Sequence, residues 1–330
     1  MKKIFITGGA GYVGSVLTPY LINKGYKVTV FDLMLYGNTL KKDKNLNLIK
    51  GDIRNTELLK EAIKGNEIVI HLACISNDPS YDLDPKLGED INFNSFSPLV
   101  KNAIKNGVSR FIYASSSSVY GVSKSKNVTE EHPLIPLTLY NKYKGMCEPI
   151  LLKYTSNDFI GIIFRPATVC GYAPRLRLDL SVNILTNHGF NNKKIKVFGG
   201  EQLRPNLHIR DYCEAIMLLI EAKKELVENQ IFNVGYENMS IANIALLVKK
   251  VLENRFSMEN IDIETVDSDD KRSYHINSGK IKKILNFSPK YSVEYAINEL
   301  ATAFQKNIIQ HSFENNIYYN VKTLKEINAK

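Results

Sequence analysis

The opening stretch, Lys2-Lys3-Ile4-Phe5-Ile6-Thr7-Gly8-Gly9-Ala10-Gly11-Tyr12-Val13-Gly14, limits what this chain can fold into more than any other. Ile4, Phe5 and Ile6 form an apolar run without polar alternation, which suits a strand covered on both faces in a parallel sheet. Gly8, Gly11 and Gly14 follow at every third position. Ser15 to Lys24 then reads as an amphipathic helix that Gly25 stops. The glycines therefore sit on a strand-to-helix turn that also holds Tyr12 and Val13. Gly8 permits a sharp turn, Gly11 lets backbone approach a diphosphate, and Gly14 lets the helix pack closely on the strand. The helix start adds free N–H groups and a positive dipole end, so the turn reads as a dinucleotide site.

The next strand, Lys27 to Phe31, ends in Asp32. A carboxylate about 20 residues past the glycines accepts a ribose 2′-hydroxyl and repels a 2′-phosphate, which favours NAD over NADP. The alternative is a plain turn residue. Leu46 to Lys50 reads as a third strand, followed by Asp52 and Ile53. Asp52 stands where a carboxylate could accept the adenine amino group, or where it could cap the helix from Thr56 to Ala62. Glu67 to Leu72 is a fourth strand. Leu72 and small Ala73 would let the sheet edge lie against the cofactor, and His71 within that apolar strand reads as structural. The polar loop after it carries Ser76 and Asn77, placed where open α/β sheets bind ligands. Ile91 to Asn106 is a helix in which Asn92 bridges backbone.

The fifth strand, Arg110 to Ala114, runs into Ser115-Ser116-Ser117-Ser118. A later helix opens with Leu139-Tyr140-Asn141-Lys142-Tyr143-Lys144, so Tyr140 and Lys144 share one face. A phenol near its free pKa of about 10 is a poor base at neutral pH. A lysine one turn away, together with an oxidised nicotinamide ring, would favour the phenolate, so that Tyr140 takes a proton from a substrate hydroxyl while Ser116 holds the same oxygen. Lys144 would also reach the nicotinamide ribose. Ile160 to Arg165 is a further strand.

Alternating strands and helices imply an α/β fold: a Rossmann doubly wound parallel sheet followed by a smaller mixed α/β substrate domain. Residues 1–172 form the first unit, with 207–236 returning to it. Residues 173–206 and 237–330 form the second, which includes a helix from Asp179 to His188 and an extended segment from Tyr274 to Asn277. At 330 residues the chain is long enough for both. Its net charge of +9 is spread rather than blocked, which argues against nucleic-acid binding. No apolar run spans a membrane and no leader precedes the first strand, so a cytoplasmic protein is expected. Cys74, Cys147, Cys170 and Cys213 show no metal-ligand spacing and read as reduced core residues. No metal site is expected.

Taken together, the glycine turn, Gly51-Asp52-Ile53, His71-Leu72-Ala73, Ser115 to Gly121, Tyr140-x-x-x-Lys144, Arg165-Pro166, Arg204 to Asp211 and Asp270 to Tyr274 carry a resemblance that runs to about Leu300. The chain resembles the extended short-chain dehydrogenase/reductases, in the NAD-dependent epimerase/dehydratase family of nucleotide-sugar enzymes. The resemblance implies NAD on the first domain, a nucleotide diphosphate on the second and the sugar between them. It makes Ser116, Tyr140 and Lys144 catalytic and turns Arg204 and Arg272 toward the substrate nucleotide. It also implies a homodimer paired through helices, including the one holding Tyr140.

Two departures narrow this. Dehydratases of the family carry acids just after the catalytic Ser or Thr, where this chain has Ser117 and Ser118, so elimination of water is not expected. Thr168 replaces a frequent Asn at the substrate diphosphate. The segment Arg165 to Leu180, with Arg175 and Arg177, resembles a branch that includes GDP-heptose 4-dehydrogenases of bacterial surface-polysaccharide synthesis, which favours a GDP-sugar. The expected activity is oxidation of a sugar hydroxyl, at C4, by an epimerase or a net dehydrogenase. The rivals are an NADP-linked ketosugar reductase and a non-catalytic NAD-binding protein of the same fold.

Overall fold

A computed structural model describes residues 2–123, 125, 127–268 and 273–327. Twelve strands run in chain order: β1 Lys3–Thr7, β2 Lys27–Asp32, β3 Leu46–Lys50, β4 Ile68–His71, β5 Arg110–Ala114, β6 Ile160–Pro166, β7 Thr168–Cys170, β8 Lys194–Phe198, β9 Leu203–His208, β10 Ile231–Val234, β11 Glu237–Ser240 and β12 Asp262–Val266. Seven of them make one sheet in the order β10-β6-β5-β4-β1-β2-β3, with every pair parallel. This is the doubly wound Rossmann arrangement with one strand added at its edge.

The apolar runs explain the layering. Ile4, Ile6, Val28, Val30, Ile70 and Ile112 point to one face of the sheet and are buried there. Phe5, Phe31, Val69, Phe111 and Tyr113 alternate with them and fill the other face. Both faces are covered by helices, as a parallel sheet requires. The strand order reverses beside β1, between β4 and β2, and this switch point opens a crevice beyond the carboxyl ends of the strands.

Three strands, β11-β9-β7, form a second sheet, and β12-β8 a third. β9 hands the chain to the helix Ile209–Glu221, which returns to the large sheet through β10. The helices Ser181–Asn192, Ile241–Phe256 and Val293–Gln305 pack on one another over a separate core of Val182, Leu185, Ile244, Val248 and Ile297.

Three local expectations shift. The helix expected from Asp179 begins at Ser181, because the Asp179 carboxylate pairs with Arg177 and accepts the Asn320 N–H instead of opening a helix. Tyr274 to Asn277 is not a strand. Its N–H groups are divided between the Leu203 carbonyl, the Asn238 side chain and the Val128 carbonyl, so no ladder forms. The helix Thr56–Ile63 is capped by Asn55, whose side chain accepts from Leu58 N, and not by Asp52.

Candidate active site

The glycine turn lies at the floor of the crevice. Gly8 has φ +74° and donates its N–H to Phe31 O at 2.9 Å; a Cβ there would sit 2.6 Å from Ala73 N. A Cβ on Gly14 would fall 2.4 Å from the Gly9 carbonyl, so helix and turn meet with no room for a side chain. At Gly11 an added Cβ would meet only Gly8 O, at 3.3 Å, and would otherwise project into space a ligand could use. No side chain caps the helix Gly14–Asn23, which leaves its first N–H groups for a phosphate. These features fit a dinucleotide diphosphate.

Asp32, at the end of β2, lines the crevice. Its Oδ2 accepts Ala10 N at 3.0 Å and its Oδ1 accepts Met34 N at 2.6 Å. Burial raises its pKa, and the two N–H groups work against that rise. The carboxylate is thus fixed in place with lone pairs to spare for ribose hydroxyls. Val13, Ile53, Leu72 and Ala73 also line the crevice.

One expected cofactor contact needs correction. Asp52 is turned away: it accepts Nε and Nη2 of Arg54 at 2.9 and 2.6 Å, and the crevice lining passes it by between Gly51 and Ile53. An arginine two residues on is a stronger partner than a distant adenine amine. Tyr12 lines the crevice, but its phenol is buried, donates to Gly171 O at 2.6 Å and accepts from Asn183 Nδ2. It ties the glycine turn to the second half of the chain, leaving only its backbone for a phosphate. Arg272 lies outside the described residues.

Ser116, Tyr140 and Lys144 line one wall of the same crevice. The helix Leu139–Lys153 is capped by Thr138, whose hydroxyl accepts Asn141 N and donates to Asp78. Lys144 is buried and donates from Nζ to Ala114 O at 2.8 Å, over the Tyr113 ring. Among the described residues the Tyr140 hydroxyl makes no hydrogen bond. Its pKa is pushed well up, by burial first and then by Cys74 and Asp78, and the cation pulling it down is Arg177. Lys144 is not among the charges that act most on the phenol here; its ammonium donates to the end of β5.

The serine run is also more connected than its sequence shows. Ser118 donates to Asn141 Oδ1, so the 2.7 Å bond between Ser116 and Ser118 takes its proton from Ser116. Ser115 donates to Glu148 at 2.6 Å, and Glu148 forms a two-pronged pair with Arg165 at 2.9 and 2.5 Å. Ser117 is buried and lines the crevice.

Thr168, Arg175, Arg177 and Arg204 line the crevice as well. Arg177 pairs with Asp179 at 2.8 Å and donates to Ser76 Oγ at 3.1 Å. Asn77 is held at φ +75° and reaches Asp179 at 3.4 Å. Arg204 lies over the Tyr274 ring. The sequence reading missed Cys74, Asp78 and Asn141, which line the crevice near Tyr140, and Asn320 from the far end of the chain. Cys74 was expected in the core. The other three cysteines are buried, and all four are free. No helix among the described residues is long and apolar enough to cross a membrane, and no cluster of three metal-ligating side chains occurs among them.

Residues 4–235 match the NAD dependent epimerase/dehydratase family. The chain belongs to that family. Its cofactor is therefore NAD. The chain is 26% identical to a UDP-glucose 4-epimerase of Lactobacillus helveticus, over 92% of this chain and 96% of that one. It is 23% identical to a dTDP-glucose 4,6-dehydratase of Streptomyces niveus, over 92% and 93%. A solved UDP-glucose 4-epimerase of Thermotoga maritima with UDP-glucose superposes with a TM-score of 0.82 at 24% identity, covering 93% of this chain and 99% of that one. Known relatives thus include both epimerases and dehydratases.

Proposed function

We propose that this family member oxidises the C4 hydroxyl of a nucleoside-diphosphate sugar, as an epimerase or a net dehydrogenase. The observation that carries the reading is that Ser116, Tyr140 and Lys144 line the same crevice as the glycine turn. NAD, when bound, supplies the hydride acceptor. Tyr140 takes the hydroxyl proton, Ser116 turns its own proton from Ser118 to hold the same oxygen, and Lys144 has N–H groups left over from its bond to Ala114 O for a ribose hydroxyl. Arg204 and Thr168 face the substrate side.

Serines at 117 and 118 leave no acid beside Ser116 to expel water, which supports oxidation without dehydration. The likeness of segment 165–180 to GDP-heptose 4-dehydrogenases makes a GDP-sugar the favoured substrate, in cytoplasmic synthesis of bacterial surface polysaccharide precursors. The division into a cofactor unit and a substrate unit belongs to the same reading. So does a homodimer through the helix Leu139–Lys153, where Leu139 and Met146 are exposed one heptad apart.

Incubation with UDP-, GDP-, CDP- and dTDP-sugars tests this by mass and by absorbance of reduced cofactor. A two-dalton loss with new absorbance marks a dehydrogenase, and unchanged mass with inverted stereochemistry an epimerase. Loss of water would overturn the argument from Ser117 and Ser118.

A further inference from the structure

Among the described residues, Arg175 faces the crevice with a buried Nε that has no partner and no carboxylate paired to it. It is 3% exposed, yet its Nε has no hydrogen-bond partner. Among the described residues no carboxylate lies within ion-pair distance of it. Arg177, two residues on, is matched by Asp179. A buried, unmatched guanidinium is costly unless an anion arrives. Burial first, and Arg177 second, lower its pKa to about 10, which is the cost expressed as acidity.

Its surroundings say which anion. The Arg175 backbone N–H donates to Ser15 Oγ at 3.3 Å, in the first turn of the helix that follows the glycines. Its guanidinium stacks on Tyr36, 4.0 Å from the ring centroid, four residues beyond Asp32. It therefore stands over the edge between the glycine turn and the ribose carboxylate, on the adenosine side, whereas Arg204 stands by Tyr274.

The guanidinium is held from behind by the C-terminal tail. Nη2 donates to Asn320 Oδ1 at 2.6 Å. Asn320 is buried; it donates from Nδ2 to Ser76 Oγ at 2.9 Å and from its backbone to Asp179 at 3.0 Å. Nearby Ile317 of the tail lies against Gly37, where an added Cβ would come within 3.5 Å of it.

We infer that Arg175 binds the diphosphate of the dinucleotide from the side opposite the glycine turn, and that Asn320 is its positioning residue, so that the tail forms part of the cofactor site. Charged bidentate donors suit that anion. The inference rests on reading the glycine turn as a dinucleotide site.

The test is calorimetric binding to the full chain, using ADP-ribose, NAD, NADP and free nucleoside diphosphates. Arg175→Gln should weaken ADP-ribose and NAD roughly ten- to a hundredfold, the range of one charged hydrogen bond, and leave the nucleoside diphosphate within twofold. Arg175→Lys should lose less. Asn320→Asp is the decisive variant. It would pair with Arg175 and weaken ADP-ribose more than Asn320→Ala does, because the paired charge is no longer free. If only the nucleoside diphosphate weakens, Arg175 belongs to the substrate. If only NADP weakens, it reads a 2′-phosphate. If Asn320→Asp binds ADP-ribose like the unaltered chain, the tail is merely structural. Each of these overturns the inference. Should Arg175→Gln not fold, the Lys and Asn320 variants decide alone. Failure of the unaltered chain to bind ADP-ribose would instead remove the dinucleotide reading itself.

Discussion

Tyr140→Phe removes one oxygen whose surroundings make the outcome sharp. The hydroxyl makes no hydrogen bond to any described residue, so its loss strands no partner. Folding stability should stay within about 0.5 kcal/mol, as for substitutions that break no buried network. The same oxygen is the group to which the proposed function gives the substrate proton. General acid–base catalysis contributes roughly 10²–10⁴-fold, so kcat should fall by that factor, about 2.7–5.5 kcal/mol of barrier. NAD affinity, read by calorimetry, should not change by more than about twofold. The pH profile adds an independent check. Burial pushes the phenol well up, so at neutral pH it is protonated and the base form is scarce. For sugar oxidation, kcat/KM should rise about tenfold per pH unit across the neutral range, since each unit multiplies the phenolate fraction. For reduction of the keto product the protonated phenol is the acid already present, and the profile should be flat. Tyr140→Phe should abolish the slope. Unchanged turnover, or a slope that survives the substitution, would remove Tyr140 from the chemistry.

Two further outcomes follow from buried charge. Glu148→Gln leaves Arg165 inside the protein without its carboxylate, both side chains being 3% exposed, and should cost about 3–5 kcal/mol in urea unfolding; a loss below about 1 kcal/mol would show that the pair is not held as described. His71 is buried against Phe96 and Tyr113, and burial first, then Lys144, lowers its pKa from 6.5 to about 3. It is neutral when folded and protonates when unfolded, so its contribution is whole above pH 6.5 and drains as pH falls toward 3. The slope should be about 1.4 kcal/mol per pH unit between 6.5 and 4.5, above the range where carboxylates titrate, and His71→Gln should flatten it.

What the sequence discloses of this fold is what neighbouring residues decide together. The apolar triplet of β1, the glycine spacing, Asp32 at the end of β2 and the four-residue interval from Tyr140 to Lys144 each fix local geometry within one strand, turn or helix, and each is found where its pattern places it. Local rules fail where a partner comes from elsewhere. Asp52 had two plausible uses in the sequence, and the structure shows a third, because Arg54 lies beside it and Asn55 already caps the helix.

The same distinction separates the two halves of the site. The cofactor floor is built from one turn and two strand ends, so it can be read from composition and interval. The opposite wall depends on contacts between residues 101 to 244 positions apart: Arg177 with Ser76, Arg175 with Asn320, Asn320 with Ser76. No periodicity encodes such meetings. The resemblance carried by segment 165–180 marked both Arg175 and Arg177 for the substrate. The fold separates them: Asp179 pairs with Arg177, while Arg175 is backed by the uncharged amide of Asn320 and its backbone N–H meets Ser15 beside the glycine turn. On this proposal two arginines two residues apart take different tasks from their partners, Asp179 close by in the sequence and Asn320 far along it. An Asp179→Asn variant makes this concrete. It would free Arg177 as Arg175 is free, without touching the floor of the site. If the charge partner is what separates the two, that variant should gain affinity for nucleoside diphosphates while its affinity for ADP-ribose holds. Equal change in both ligands would show that the two arginines serve one anion.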